Sequence, residues 1–196
     1  VTSGEILLHG QDITGMSVEH RTKFLSRVFQ DPKMGTAPRM TVAENLLLSK
    51  KRGESRGLGS RRLKQNMAEF KKITQTMPNG LDQRLNTPTG DLSGGQRQAL
   101  SFLMATIKRP EILLLDEHTA ALDPQTSAEL MHATNERITE DQLTCLMITH
   151  HLEDALTYGN RLIVLDHGKI SYDVSDGEKE SLTKEKLLSF FSDIDA

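Results

Sequence analysis

An α/β fold, with a mostly parallel sheet, an N-terminal antiparallel strand region and an inserted α-helical subdomain, is what this 196-residue sequence predicts. Three observations carry that prediction. The run Ile112-Leu113-Leu114-Leu115 is apolar on both faces, the pattern of a strand buried in a parallel sheet. From Pro110 onward, strand-like and helix-like segments alternate with short links, as α/β folds require. Over residues 41–108 the strand signal gives way to helical periodicity. One domain over 1–196 is expected, with its core in 1–40 and 109–196 and its helical subdomain in about 41–108.

Glu5 to His9 reads as a short strand closed by Gly10, and Gln11 to Met16 as turn-rich chain. Ser17 can cap a short helix through Phe24. Arg27 to Gln30 reads as a brief strand ended by Asp31-Pro32, since a residue before proline leaves regular structure. Thr41 and Glu44 have capping-box spacing, and Leu46 to Leu48 give that helix an apolar face. Leu63, Met67, Phe70 and Ile73 recur at helical spacing before Pro78, Gly80, Pro88 and Gly90 break the chain into a loop. A long helix is expected from Gly94 to about Lys108. Asp123 before Pro124 is an N-cap with proline at the first helical position, opening a helix to about Ile138. Leu143 to Thr149 is a second buried strand, followed by a helix ending near Tyr158-Gly159. Arg161 to Leu165 and Lys169 to Tyr172 flank a turn at Asp166-His167-Gly168. Asp173 to Glu180 reads as a solvated acidic loop, and a helix from Lys184 to Phe191 closes the chain.

Composition narrows the function. The apolar fraction of 36% and charged fraction of 26% are those of a globular domain, not of a disordered or fibrous chain. A net charge of −3 argues against a general nucleic-acid binder. The single Cys145 rules out a disulfide framework and reads as a buried small apolar residue. No apolar run approaches the roughly 20 residues that span a bilayer, so a membrane role must come through a partner. Lys50, Lys51, Arg52, Arg56, Arg61 and Arg62 form a basic stretch, either solvated helix surface or a contact for anionic headgroups.

Two runs carry chemistry. In Leu92-Ser93-Gly94-Gly95-Gln96, two glycines open a helix, and backbone N–H groups at a helix N-terminus attract an anion such as phosphate. Downstream, the apolar strand ends in Asp116-Glu117, at the strand end where α/β folds bind ligands. Asp116 can hold Mg²⁺ through water, and Glu117 can orient or deprotonate an attacking water. From the residues alone, Gln30 is a turn residue before Asp-Pro. His150 is a strand-end histidine, and His151 has an equal local claim.

The order LSGGQRQ, LLLDE, ALD and ITH resembles the nucleotide-binding domain of ABC transporters across essentially the whole chain. That resemblance implies a P-loop NTPase-like core, ATP and Mg²⁺ as cofactors, and residue roles. Leu92 and Ser93 to Gln96 would bind the γ-phosphate of ATP held by an opposite subunit. Asp116 would be the metal-binding Walker B aspartate and Glu117 the catalytic glutamate. Asp123 would be the aspartate that communicates across the dimer. His150 would be the catalytic switch histidine, and Gln30 the glutamine that senses nucleotide and metal and links to the membrane partner. It further implies a transmembrane permease, a second ATPase subunit in a homodimer, a substrate-binding protein, no nucleic acid, and a cytoplasmic place on the inner face of the membrane. Asp-Glu-His-Thr-Ala-Ala-Leu-Asp-Pro is similar to importers linked to tryptophan or tyrosine, although most relatives carry proline where His118 stands; His118 is read as a tolerated loop substitution.

The sequence departs from the family in one respect. No Gly-x-x-x-x-Gly-Lys-[Ser/Thr] run, the loop that holds the β- and γ-phosphates, occurs in it. That loop precedes the segment similar to Ser3 to Ile6, so Val1 is expected to fall just after it, through truncation, and the chain alone is expected to be inactive as an ATPase. Two other functions stay open: a soluble ABC ATPase of DNA repair or translation, which usually carries coiled coils or tandem domains, and a non-catalytic fragment.

Overall fold

A tight antiparallel hairpin comes first: Leu7–Leu8 (β1) pairs with Gln11–Asp12 (β2). Its two-residue turn needs positive φ at both positions, which His9 (50°) and Gly10 (79°) supply. The computed structural model that shows this describes residues 2–54 and 62–192. The chain divides into two units, Val1–Met147 and Ile148–Ala196.

In the first unit, Ser17 caps the short helix Val18–Arg21 (α1), and Leu25–Val28 (β3) follows. The expected strand at 27–30 sits two residues earlier. Asp31 caps the 3₁₀ turn Pro32–Gly35, accepting from the Lys33 amide at 2.9 Å, so Phe29 and Gln30 lead out of the ladder. Val42–Lys50 (α2) opens with the Thr41/Glu44 capping box. Leu63–Thr74 (α3), Gly94–Thr106 (α4), Ile112–Asp116 (β4), Pro124–Glu140 (α5) and Cys145–Ile148 (β5) complete the series. The α4 helix ends two residues before the expected Lys108.

β3 and β4 are parallel, with Leu25 opposite Ile112 and Val28 opposite Leu115; the sheet order is β3-β4-β5. Because side chains alternate along a strand, Ser26, Val28, Leu113 and Leu115 face the core and are buried. Leu25, Arg27, Ile112, Leu114 and Asp116 share the other, more open face. The core gathers Leu46, Phe70, Leu81, Leu100, Phe102, Leu113 and Leu130, each fully buried. Most come from segments of 41–108, so helices and sheet share one apolar interior. Burying each such side chain contributes about 1.5–3 kcal/mol before entropy is charged against it.

The basic stretch is not uniformly solvated. Arg52 donates to Ser26 Oγ and, at 2.8 Å, to the carbonyl of Lys108 just past α4, while Lys50 meets Glu69 at 2.5 Å. Arg56 and Arg61 lie outside the described residues. Cys145 is half-buried, and burial pushes its thiol up to about 11.

In the second unit, Leu152–Thr157 (α6) precedes the antiparallel hairpin Arg161–Asp166 (β6) and Lys169–Ser175 (β7). Leu162, Val164, Val174 and Leu187 form its small core. The acidic segment expected to be a loop is ordered. Asp173 takes two bonds from Arg161 across the hairpin, at 2.8 and 2.6 Å, which extends β7 to Ser175. Asp176–Glu180 (α7) follows, where Lys179 is buried and donates to the Leu156 carbonyl at 2.7 Å. Lys184–Ser192 (α8) ends the described chain.

Candidate functional site

The glycine-opened run and the acid-tipped strand meet two very different environments. Ser93 is the N-cap of α4: its hydroxyl accepts from the Gln96 amide at 3.2 Å, and Gln96 Oε1 accepts from the Ser93 amide at 3.2 Å. Gln96 Nε2 also donates to the Asn79 carbonyl at 2.9 Å. Both polar side chains of the motif are therefore engaged in building the helix start. The Gly94 and Gly95 amides lie in the first turn, where a helix offers no internal acceptor. Sterics explain the second glycine: a Cβ at Gly95 would lie 2.5 Å from Thr126 Cγ2 on α5. A Cβ at Gly94 would meet only Leu122, at 3.9 Å. Leu92, just before, is buried, and Arg97 ties the approach down through the carbonyls of Thr89, Gly90 and Leu92.

At the strand ends, Gln30 Nε2 donates to Glu117 Oε2 at 2.8 Å. Sequence separates the two by 87 positions; the parallel β3–β4 pairing brings them together. Glu117 stands in left-handed backbone, φ 44°, a conformation that costs a non-glycine residue and persists where surroundings impose it. Its neighbour His118 is one source of that constraint: it is 2% exposed, with Nε2 3.5 Å from Thr134 Oγ1 on α5. The loop-substitution reading of His118 is therefore corrected. The ring is a core group, and burial lowers its pKa to about 4, keeping it neutral. Asp123 caps α5, accepting from the Thr126 amide at 3.0 Å, and these bonds hold its carboxyl below the usual range.

Two residues that motif reading passed over belong to this end. Arg27 donates to Asp116 Oδ2 at 2.5 Å, with its guanidinium 4.7 Å from the Phe29 ring centre. Gln98 of α4, buried, donates to the Phe29 carbonyl at 3.0 Å, linking the glycine-opened helix to the segment bearing Gln30. A charged residue inside a short apolar strand was the available signal for Arg27. His150 lies in the second unit, its ring 4.4 Å from that of His151, whose amide donates to Thr149 Oγ1 at 3.0 Å.

The donor set suits Mg²⁺, which takes oxygen ligands, retains several waters and binds through one or two carboxylates plus phosphates. Asp116 offers a carboxylate at a partly open strand end, and the bond through Gln30 Nε2 leaves its amide oxygen to face a cation. Among the described residues no group of three or more His, Cys, Asp or Glu could form a metal cage, which Mg²⁺ held this way does not require.

Comparison with known proteins gives this geometry a context. The profile of the family described as "ABC transporter" matches residues 1–120. The tyrosine transport ATP-binding protein of Clostridioides difficile is 44% identical over 97% of this chain and 75% of its own length. The phosphonates import ATP-binding protein of Bordetella parapertussis is 31% identical, over 95% of this chain and 75% of its own. A spermidine/putrescine import ATP-binding protein of Haemophilus ducreyi is 30% identical over 88% of this chain, which spans only 43% of that relative. Among solved structures, the ADP conformation of an ATP-binding cassette of an ABC transporter superposes with a TM-score of 0.73 at 22% identity, covering 97% of this chain and 77% of its own. At that identity the likeness speaks for the α/β fold.

Proposed function

This chain belongs to the ABC transporter family, and from that premise we propose that it is the ATP-binding, ATP-hydrolysing subunit of an importer for an amino-acid-type solute. The observation that carries the reading is the 2.8 Å Gln30–Glu117 bond, which joins two separate motifs at the ends of adjacent parallel strands. The tyrosine relative's name supports the cargo class. Transport would run through a permease partner at the inner face of the membrane, with a substrate-binding protein delivering cargo; among the described residues no helix is long and apolar enough to cross a membrane.

In the proposed mechanism, two copies enclose ATP. The Gly94 and Gly95 amides of one copy, at a helix start that favours negative charge, hold the γ-phosphate bound by the other copy. Glu117 orients the attacking water and accepts its proton as oxygen attacks phosphorus and the bond to the ADP oxygen breaks. Asp116 and Gln30 would hold Mg²⁺, which supplies charge neutralisation on the transferring phosphoryl. Asp123 communicates between copies, and His150 contacts the γ-phosphate. Residues 41–108 act as an inserted helical subdomain, and Gln30 passes the nucleotide state to the permease. The sequence holds no Gly-x-x-x-x-Gly-Lys-[Ser/Thr] run, so residues 1–196 alone are expected not to hydrolyse ATP, and activity is to be measured on a subunit that also carries that loop.

Glu117→Gln in such a subunit tests the reading. It should lower turnover by about 10²–10⁴-fold with ATP affinity retained, the range expected for loss of a general base. Unchanged turnover refutes the role of Glu117.

A further inference from the structure

The two acids that end β4 and follow it, Asp116 and Glu117, are engaged by one side chain from β3 and one from just beyond it, and only one of these belongs to the motifs. Gln30 takes Glu117 at 2.8 Å; Arg27 takes Asp116 at 2.5 Å. Arg27 lies opposite Leu114 in the ladder, so on the shared open face its side chain reaches Asp116 one side-chain repeat further along β4. The Arg27 side chain is 52% exposed, and its guanidinium also rests over Phe29. An exposed ion pair of this kind contributes little to stability, because water screens it and two long side chains must be ordered. Its position is more informative than its strength. A permanent monovalent cation sits on the carboxylate that the proposed function assigns to a divalent one.

We propose that Arg27 is a resident cation of the metal position: it neutralises Asp116 before metal arrives and yields that carboxylate when Mg²⁺ and nucleotide enter. This rests on the reading of Asp116 as the metal ligand. Three features fit an exchangeable contact. The pair is partly exposed and therefore easily broken, Phe29 offers the guanidinium a second resting place, and the planar fork of arginine, always charged, can turn from a carboxylate to a phosphate oxygen. A lysine would lack both the stacking and the fork.

The test uses Mn²⁺ as a paramagnetic stand-in for Mg²⁺, titrated by electron spin resonance, without nucleotide, into a subunit that carries the phosphate loop. Arg27→Met should tighten Mn²⁺ binding about fivefold, the fold-change an ion pair of this exposure is worth. Arg27→Lys, which keeps the charge but loses the fork, should fall between wild type and Arg27→Met. Unchanged or weaker Mn²⁺ binding in a folded Arg27→Met protein overturns the proposal. Asp116→Asn separates this from failure of the underlying reading: it should abolish Mn²⁺ binding, leaving the free-ion signal at full intensity through the titration, and binding that survives shows that Asp116 is not the metal ligand.

Discussion

The glycine-opened end of α4 and the acid-tipped end of β4 are built by opposite means. The first is fixed by backbone and steric fit: a closed capping box, three carbonyls gripped by Arg97, and a contact at Gly95 too close for any side chain. The second is assembled from side chains that can exchange partners, Arg27 on Asp116 and Gln30 on Glu117, around a backbone held in a costly conformation. A binding surface that must present amides gains from rigidity, whereas a centre that must admit a cation and a water needs contacts that yield. Substitutions that disturb the fit should therefore act on stability in the first region, and substitutions in the second should act on chemistry, with His118 the exception that anchors the second.

The largest expected effect tests that exception. His118 titrates near 4 when folded and near 6.5 in an unfolded chain, so between those values the unfolded state binds more protons. Stability is then fully present above about pH 6.5 and declines by about 3 kcal/mol as pH falls toward 4. Denaturant midpoints from pH 7.5 to 4 should show this slope, and His118→Leu should flatten it; an equal slope in both proteins assigns the acid sensitivity elsewhere. Next in size, Gly95→Ala should cost about 1–3 kcal/mol, the usual penalty of overpacking, while Gly94→Ala should stay within about 1 kcal/mol of wild type, the propensity range for alanine replacing glycine in a helix. Equal thermal midpoints for the two variants would remove the steric distinction between the glycines. Smallest on stability, Gln30→Ala should change the unfolding free energy by less than about 1 kcal/mol, as expected for one exposed hydrogen bond, yet depress turnover measurably in the loop-bearing subunit. A large stability loss with normal turnover would place Gln30 in the scaffold instead.

Much of this was legible in the sequence because it depends on neighbours along the chain. Caps at Thr41 and Asp123, the apolar run into Asp116, and the Gly94 helix start are local patterns, and each forms where the pattern puts it. What the sequence hid depends on pairing across the fold. β3 begins at Leu25 because its partner Ile112 stands there, and β7 runs on to Ser175 because Arg161 lies opposite Ser175 and binds the Asp173 carboxylate. Arg27 could not be matched to Asp116 without the parallel register, and His118 could not be recognised as a core group without α5 packed over it. The same reason explains why Gln30 read as a turn residue on its own: its partner is 87 positions away.

The central claim is that these two contrasting regions close on one triphosphate from different copies. The most direct measurement is the mass of the loop-bearing Glu117→Gln subunit by light scattering, with and without ATP. The account predicts a monomer that doubles in mass with ATP and fails to do so once Gly94→Asp is added, since that site has room for a side chain and an added carboxylate there would repel phosphate while suiting the helix start. An ATP-dependent dimer that persists unchanged with Gly94→Asp in place would contradict it.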